Sequence, residues 1–338
     1  MDWTGTGRKL SMVFVLSIAL AGAMASVYNP WTSIALLNTG PEEIYEYAPD
    51  ICFAGNQLWL AYNEADDRTG SWIWSLKYRI LNEDLSIIGE DFILPPGVNA
   101  DSPSVATDGV NIWVVYVYHG EAGDQLCYSY WEPDSGWLGN VPITTAAGLN
   151  AAYQPCIAYI PDRGELWLAY VGETETRKGR QKASGLVTRD IYLKRGTVDD
   201  TVLNWAQNSD LKLTSCGDEW EPSIASLGNT VLMAWSSRRS GEYTVRSATI
   251  TERGLAQEKE VTHFWGRDPE LVEIAGQVWV FYEPYWFGMV GKYLGSDGWS
   301  EPIWVADDIE QVRNAAPALA GNDLYLFVEG SNPGMRSR

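Results

Sequence analysis

Apolar residues in this chain come in short runs punctuated by Gly, Asn, Asp and Pro, the pattern of many short strands. Six segments repeat one order: a proline, a short apolar strand, a tight turn, then a Trp/Tyr-rich strand ending in a polar residue. They read APDICFAGNQLWLAYNE from Ala48, SPSVATDGVNIWVVYVYHG from Ser102 and QPCIAYIPDRGELWLAYVGE from Gln154. EPSIASLGNTVLMAWSSRRSG from Glu221, DPELVEIAGQVWVFYEP from Asp268 and APALAGNDLYLFVEG from Ala316 complete the series. The prolines (Pro49, Pro103, Pro155, Pro222, Pro269 and Pro317) recur at roughly 50 residues, the length of a four-stranded propeller blade.

Each part of the unit has a physical reading. Proline is expected at the start of a first strand, where no ladder donor is needed. Gly55-Asn56, Asp108-Gly109, Gly228-Asn229 and Gly321-Asn322 supply the positive φ of hairpins. The LWLAY-type strands are apolar on both faces because blades pack on blades. Trp59, Trp113, Trp167, Trp235 and Trp279 share one repeat position and read as that packing.

Weaker third and fourth strands follow, such as Ile191 to Lys194 with Leu211 to Thr214, and Lys292 to Leu294 with Pro302 to Val305, with turns at Asp134 to Trp137 and Ser296 to Trp299. The longest interval carries a polar, basic insertion from Glu173 to Arg189, including Lys178, Arg180 and Lys182, expected as a protease-sensitive loop. After Leu324 to Val328 only Met335 to Arg338 remain for a third strand, and Trp31 to Leu37 has the character of the missing fourth. The expectation is an all-β, six-bladed β-propeller over residues 26–338, closed by pairing of the N-terminal strand with the C-terminal blade, which removes an open edge.

The first residues change the cellular picture. Arg8 and Lys9, an apolar run from Leu10 to Ala21 and Ala23-Met24-Ala25 read as a secretory signal peptide over 1–25. An uncleaved anchor is the alternative. No later segment is continuously apolar, so a secreted, extracellular or cell-surface protein without an integral span is expected. The formal charge of −20 becomes one unit more negative once Asp2, Arg8 and Lys9 leave. Such a surface repels phosphate backbones and excludes nucleic acid as a partner. Cys52, Cys127, Cys156 and Cys216 allow two disulfides in an exported chain, or buried thiols.

The repeat resembles the sialidase-like propellers of the BNR-repeat type, and Trp235-Ser236-Ser237-Arg238-Arg239-Ser240-Gly241 is similar to repeats of TolB-type propellers; the resemblance spans about residues 28 to 338. It implies the fold. Where sialidases carry Asp boxes of the form S-x-D-x-G-x-x-W, this chain has the contracted Ser296-Asp297-Gly298-Trp299, and where they open with Arg-x-Pro it has Tyr47-Ala48-Pro49.

In a propeller, the loops entering first strands and those leaving second strands converge at one mouth of the channel. This gathers Asp101, Tyr153, Trp220, Glu221, Trp265, Arg267, Asp268 and Arg313 with Arg238, Glu283 and Trp286. Glu221, Asp268, Asp101 and Glu283 are the candidate catalytic carboxylates; a glycosidase would need two of them about 5 Å apart for retention or 6.5 to 9.5 Å for inversion. Trp220, Tyr153, Trp265 and Trp286 could stack a sugar ring, and Arg238, Arg267 and Arg313 could clamp a carboxylate or pair with neighbouring acids at the rim. His119 and His263 are too few for a His-rich metal site. No cofactor is expected; loop acids such as Asp66-Asp67 and Asp307-Asp308 could hold a structural calcium but lack EF-hand spacing. The favoured function is an extracellular binding module for glycans or envelope proteins. The alternatives are a sialidase-like glycoside hydrolase or polysaccharide lyase, and a structural cell-envelope component.

Overall fold

The computed structural model describes residues 12–19, 34–36, 44–66, 73–121, 123–176, 186–199, 202–207, 210–262, 265–284, 288–305, 312–321 and 323–330. Every regular element among them is a strand. The chain begins with β1 (Met12–Ala19) and β2 (Ile34–Leu36). Blade one is then β3 (Ile44–Ala54), β4 (Gln57–Asp66), β5 (Ile73–Leu81) and β6 (Ile87–Phe92). Blade two is β7 (Ala100–Thr107), β8 (Ile112–Gly120), β9 (Gly123–Glu132) and β10 (Gly136–Pro142). Blade three is β11 (Ala151–Ile160), β12 (Glu165–Thr176), β13 (Leu186–Asp199) and β14 (Val202–Trp205), with β15 (Leu211–Lys212) also on β13. Blade four is β16 (Glu219–Leu227), β17 (Thr230–Ser237), β18 (Thr244–Thr251) and β19 (Gly254–Glu260). Blade five is β20 (Gly266–Ile274), β21 (Gln277–Pro284), β22 (Val290–Gly295) and β23 (Gly298–Trp299), with β24 (Ile303–Trp304) also on β22. Last come β25 (Val312–Ala320) and β26 (Asp323–Gly330).

The all-β propeller expected from the repeat is what the chain forms. The expected six alike blades are corrected to five, each built from consecutive strands. β25 and β26 stand apart because no described strand follows them; their sheet runs β2-β1-β26-β25. Ile34–Leu36, inside the segment expected as a fourth strand, lies outermost in that sheet. β26 pairs with Met12–Ala19, from Met12↔Gly330 to Ala19↔Asp323; the carboxy-terminal Met335 to Arg338, expected as a third strand, fall outside the described residues.

Tight turns follow the residues that permit them. At β3–β4, Gly55 and Asn56 both take positive φ (57° and 63°), the two-residue hairpin geometry that matches strand twist. At β7–β8 the Asp108 carboxylate accepts the Val110 and Asn111 amides at 2.9 and 2.7 Å.

The recurring tryptophans lie between blades, but Trp235 is corrected in position: the register sets it level with Tyr62, and Leu232 stands where Trp59 does. Trp113, Trp167 and Trp235 are fully buried, and each packs in a cluster shared by neighbouring sheets. Trp59 packs with Ala100, Val105 and Tyr116 of blade two, and Trp279 against the cluster holding Val312 and Leu326. Ile51, Leu58 and Tyr62 of blade one pack with Ala316, Ala318 and Phe327. All four cysteines are free: Cys52 and Cys127 are buried, as the thiol alternative has it, while Cys156 is half-buried and Cys216 exposed. Half of the expected basic insertion is regular: β12 and β13 stay paired out to Thr176↔Leu186, and only 177–185, with Lys178, Arg180 and Lys182, lie outside the described residues.

The prolines are corrected in place. They sit several residues into the innermost strand, inside a β-bulge, and each follows a residue in the left-handed region: Ala48, Ser102, Gln154, Glu221 and Asp268, with φ of 48°, 52°, 48°, 53° and 54°. The same bulge in β25 has Asn314 at φ 46°, so the structural counterpart of the prolines there is Ala315 and not Pro317. A left-handed residue with a Cβ costs about 1–2 kcal/mol. Five of the six positions carry polar side chains; Ala48 has none, so Ala48→Gly is expected to raise the urea-unfolding free energy by about 1 kcal/mol, net of the greater freedom glycine gives the unfolded chain. Unchanged or lower stability would show that the bulge is unstrained there.

Candidate functional site at the channel mouth

The six bulges turn the start of each innermost strand toward the axis and enclose a cavity of about 140 Å³ lined by Asp50, Ser104, Gln154, Cys156, Glu221, Asp268, Glu270 and Asn314 among others. Two belts of side-chain-to-backbone bonds tie successive blades around it. In the upper belt three left-handed residues accept the amide of the next: Gln154 Oε1 from Glu221 (3.1 Å), Glu221 Oε2 from Asp268 (2.9 Å), and Asp268 Oδ2 from Asn314 (2.7 Å). Where the series reaches apolar Ala48, residues of the second strands substitute. Glu329 accepts from Asn314 Nδ2 at 2.6 Å and faces the Ala48 amide at 3.5 Å, and Asn63 Oδ1 accepts the Ser102 amide at 3.0 Å. In the lower belt the residue after each proline accepts from the next blade: Asp50 from Val105 (2.7 Å), Ser104 from Ile157 (3.0 Å) and Ser223 from Leu271 (2.9 Å), with the Ile224 amide directed at the Cys156 thiol.

Charge is concentrated in this throat, and no Lys or Arg is among its lining residues. Burial raises Asp50 to about 6, against the amides of Val105 and Ile51 and the Ser104 hydroxyl that favour its ionised form. Asp268 is held well above the usual carboxylate range, first by burial and then by the Glu221 charge. Glu221 Oε2 also accepts the Ser236 hydroxyl at 2.6 Å. Two carboxyl groups of adjacent blades are thus joined through one backbone amide, with one pushed toward its neutral form.

Around the mouth the expected residues fall into separate clusters. Tyr153 and Trp220 come together, ring centroids 5.9 Å apart. Arg189 lies 4.4 Å over the Trp220 ring, donates to the Tyr153 hydroxyl at 2.6 Å and pairs with Glu173 at 3.1 Å. Burial pushes the Tyr153 phenol up to about 12 despite Arg189. Trp265 stands 6.2 Å from Tyr243 and 5.5 Å from the Arg267 guanidinium. Trp286 lies outside the described residues, as do His263, Asp67, Asp307 and Asp308.

The three arginines do not form one clamp. Arg238 folds over Tyr243 and donates to the Gly241 carbonyl at 3.3 Å. Arg267 pairs with Glu283 at 2.7 Å. Arg313 is exposed, and its charge acts on that same Glu283, whose pKa burial nevertheless keeps raised. Asp101 stands apart from the throat acids, on His119 Nε2 at 3.0 Å. Among the described residues no group of three or more His, Cys, Asp and Glu is placed to hold a metal ion.

Sequence reasoning passed over Asp50, Arg189 and the belts, and read Glu270 only as a rim acid for the arginines to pair with. The signal for the lower belt was present: Pro49-Asp50, Pro103-Ser104, Pro155-Cys156, Pro222-Ser223 and Pro269-Glu270 each put a hydrogen-bonding side chain directly after the proline.

No protein-family model matches the chain, and no curated protein matches it. Solved structures do. A GH43_1 enzyme from Xanthomonas citri complexed with xylotriose is 11% identical, with a TM-score of 0.50 over 78% of this chain and 92% of that one. A GH32 β-fructofuranosidase of Bombyx mori is 10% identical (TM-score 0.49; 77% of this chain), and this chain spans only 63% of its length. A gluconolactonase from Xanthomonas campestris is 14% identical (TM-score 0.48; 84% and 85%). At these identities the likeness shows the fold alone.

His119 gives the mouth a titration that can be read directly. Its Nδ1 lies 2.7 Å from Asp124 and its Nε2 3.0 Å from Asp101, so both ring nitrogens donate only in the charged form. Burial opposes that form, but the two carboxylates prevail and raise the His119 pKa. The clasp is therefore complete below the ordinary value of about 6.5 and is lost as pH rises through the higher folded one. An NMR titration of the His119 ring is expected to place its pKa above about 6.5 and to find it lowered in Asp124→Asn. A wild-type value at or below the free-histidine range would rule the clasp out.

Proposed function

We propose that this protein is a glycan-active propeller that cleaves a glycosidic bond at the channel mouth, with Asp268 as general acid and the Glu221 carboxylate as its charged partner. The observation that carries this reading is a pair of neighbouring carboxyls joined through the Asp268 amide, in which burial and then the Glu221 charge raise Asp268 above the usual carboxylate range. A neutral carboxyl can protonate a leaving oxygen near neutral pH, and an adjacent carboxylate can stabilise the positive charge developing on the sugar. Trp220, half-buried beside Tyr153, supplies an apolar ring for the sugar face.

A second reading keeps the sugar and drops the chemistry. Oxygens of both acids are occupied as interblade acceptors, which suits a binding module for glycans or an envelope protein. Asp268→Asn separates the two, because an amide oxygen still accepts the Asn314 amide while the acid is gone. With an aryl-glycoside panel and a glycan array, the hydrolase reading expects Asp268→Asn to lower kcat by at least about 100-fold with the glycan still bound. Trp220→Ala should weaken capture. Full turnover in Asp268→Asn would remove the hydrolase reading, and binding without turnover in the wild type would leave the module.

Secretion and a closed ring belong to the same proposal. Six bulges of one geometry and a packed core between blade one and the β25–β26 pair support closure. Arg8-Lys9 and Ala23-Met24-Ala25 support a leader, which includes the strand beside β26. An exported protein whose intact mass begins at Ser26 would support cleavage; one that retains Met12 to Ala19 would show an uncleaved strand.

A further inference from the structure

The lower belt does not run all the way round. After Asp50, Ser104, Cys156 and Ser223, the next acceptor is Glu270, and the amide that would face it belongs to Pro317, which has no N–H. One step on, the acceptor position is Ala316, which offers no side-chain oxygen, and the Ile51 amide turns back to its neighbour Asp50 Oδ1 at 2.8 Å. The belt is thus interrupted on both sides of β25, the strand that packs between blade five and blade one.

Glu270 is left in the channel wall with the Ser223 hydroxyl on its Oε2 at 2.8 Å, and among the described residues no backbone amide reaches it. The titratable groups acting on it are Asp50 from blade one, Glu221 from blade four and Asp268 on its own strand; the Cys156 thiol of blade three feels its charge in turn. Arg267 acts on Asp268 but is held by Glu283. The facing part of β25 (Asn314, Ala315, Ala316 and Pro317) brings no charge.

We propose that Glu270 makes the seam around β25 a pH-operated lock: the neutral carboxyl lets blades five and one sit against β25, and the ionised one repels Asp50 and Asp268 and loosens it. Burial first, then the Asp50 and Asp268 charges, raise the proton affinity of Glu270 well above that of a free glutamate. An acid whose folded pKa is raised holds more protons in the native state than in the unfolded one. Its contribution is therefore present below the unfolded value of about 4.3 and is lost as pH rises toward the folded one. The seam is tight in mild acid and weakest in alkali.

The test is native-state hydrogen exchange of β25 amides from about pH 5 to 9 on the full chain, with blade-two β8 amides as control. Protection of β25 in the wild type is expected to fall with pH relative to β8. Glu270→Gln, which keeps an oxygen for the Ser223 hydroxyl, should lessen that fall, leaving the share that Asp50 and Asp268 contribute, and protect β25 about tenfold or more better at the alkaline end, since each unit of pKa elevation is a factor of ten. Pro317→Ala restores the missing donor, which favours the ionised carboxyl and lowers its pKa, and should likewise make the fall smaller. Should Glu270→Gln fail to fold, the Pro317→Ala profile and a carboxyl-carbon NMR titration of Glu270 in the wild type decide the matter. An ordinary glutamate pKa, or a pH profile unaltered in both variants, would overturn the lock.

Discussion

The arrangement depends on one constraint: six innermost strands must converge on an axis without leaving their backbone amides unpaired. Each does so with a bulge whose first residue takes a left-handed conformation, and at five of the six, all but Gln154, a side chain of the preceding blade or of a second strand faces the amide freed by that turn. An unsatisfied buried amide would cost about 1–3 kcal/mol, so the acceptors at these positions are as much a part of the fold as the tryptophans between blades. This explains why a chain with so many acids keeps several of them inward. They are the partners of amides, and their carboxyl chemistry comes with that duty.

Much of this was legible. The spacing of prolines and LWLAY-type strands predicted an all-β propeller, and the Gly-Asn and Asp-Gly turns sit where hairpins form. The interblade role of Trp113 and Trp167 was readable because one repeat position carries a large ring in blades one, two, three and five; in blade four Leu232 holds that position and Trp235 packs from the place of Tyr62. The bulge was not readable. Proline at a strand start and proline inside a bulge satisfy the same rule, the lack of a ladder donor, and only the φ of the preceding residue separates them. That ambiguity is why Pro317 was aligned with the others although Ala315 holds the equivalent place.

The site was legible in outline. Glu221, Asp268, Trp220 and Tyr153 were gathered by topology alone, because residues before each proline must meet at the mouth. Their grouping was beyond sequence: which guanidinium meets which carboxylate depends on side-chain reach. Arg267 is taken by Glu283, and Arg238 lies on Tyr243. Arg189 entered from the edge of a segment read as a loop, because continued pairing of β12 and β13 carries it back over Trp220.

The six left-handed positions also differ around the circle. Glu221 and Asp268 stand in adjacent blades, whereas Ala48 and Ser102 occupy the other side. A throat built with near-rotational symmetry of backbone is therefore lopsided in potential, with Glu221, Asp268 and Glu270 along the wall of blades four and five and Asp50 lining the opposite one. A ligand entering along the axis meets a sideways field that turns its donors toward blades four and five, so orientation within the channel is imposed before any contact at the rim is made.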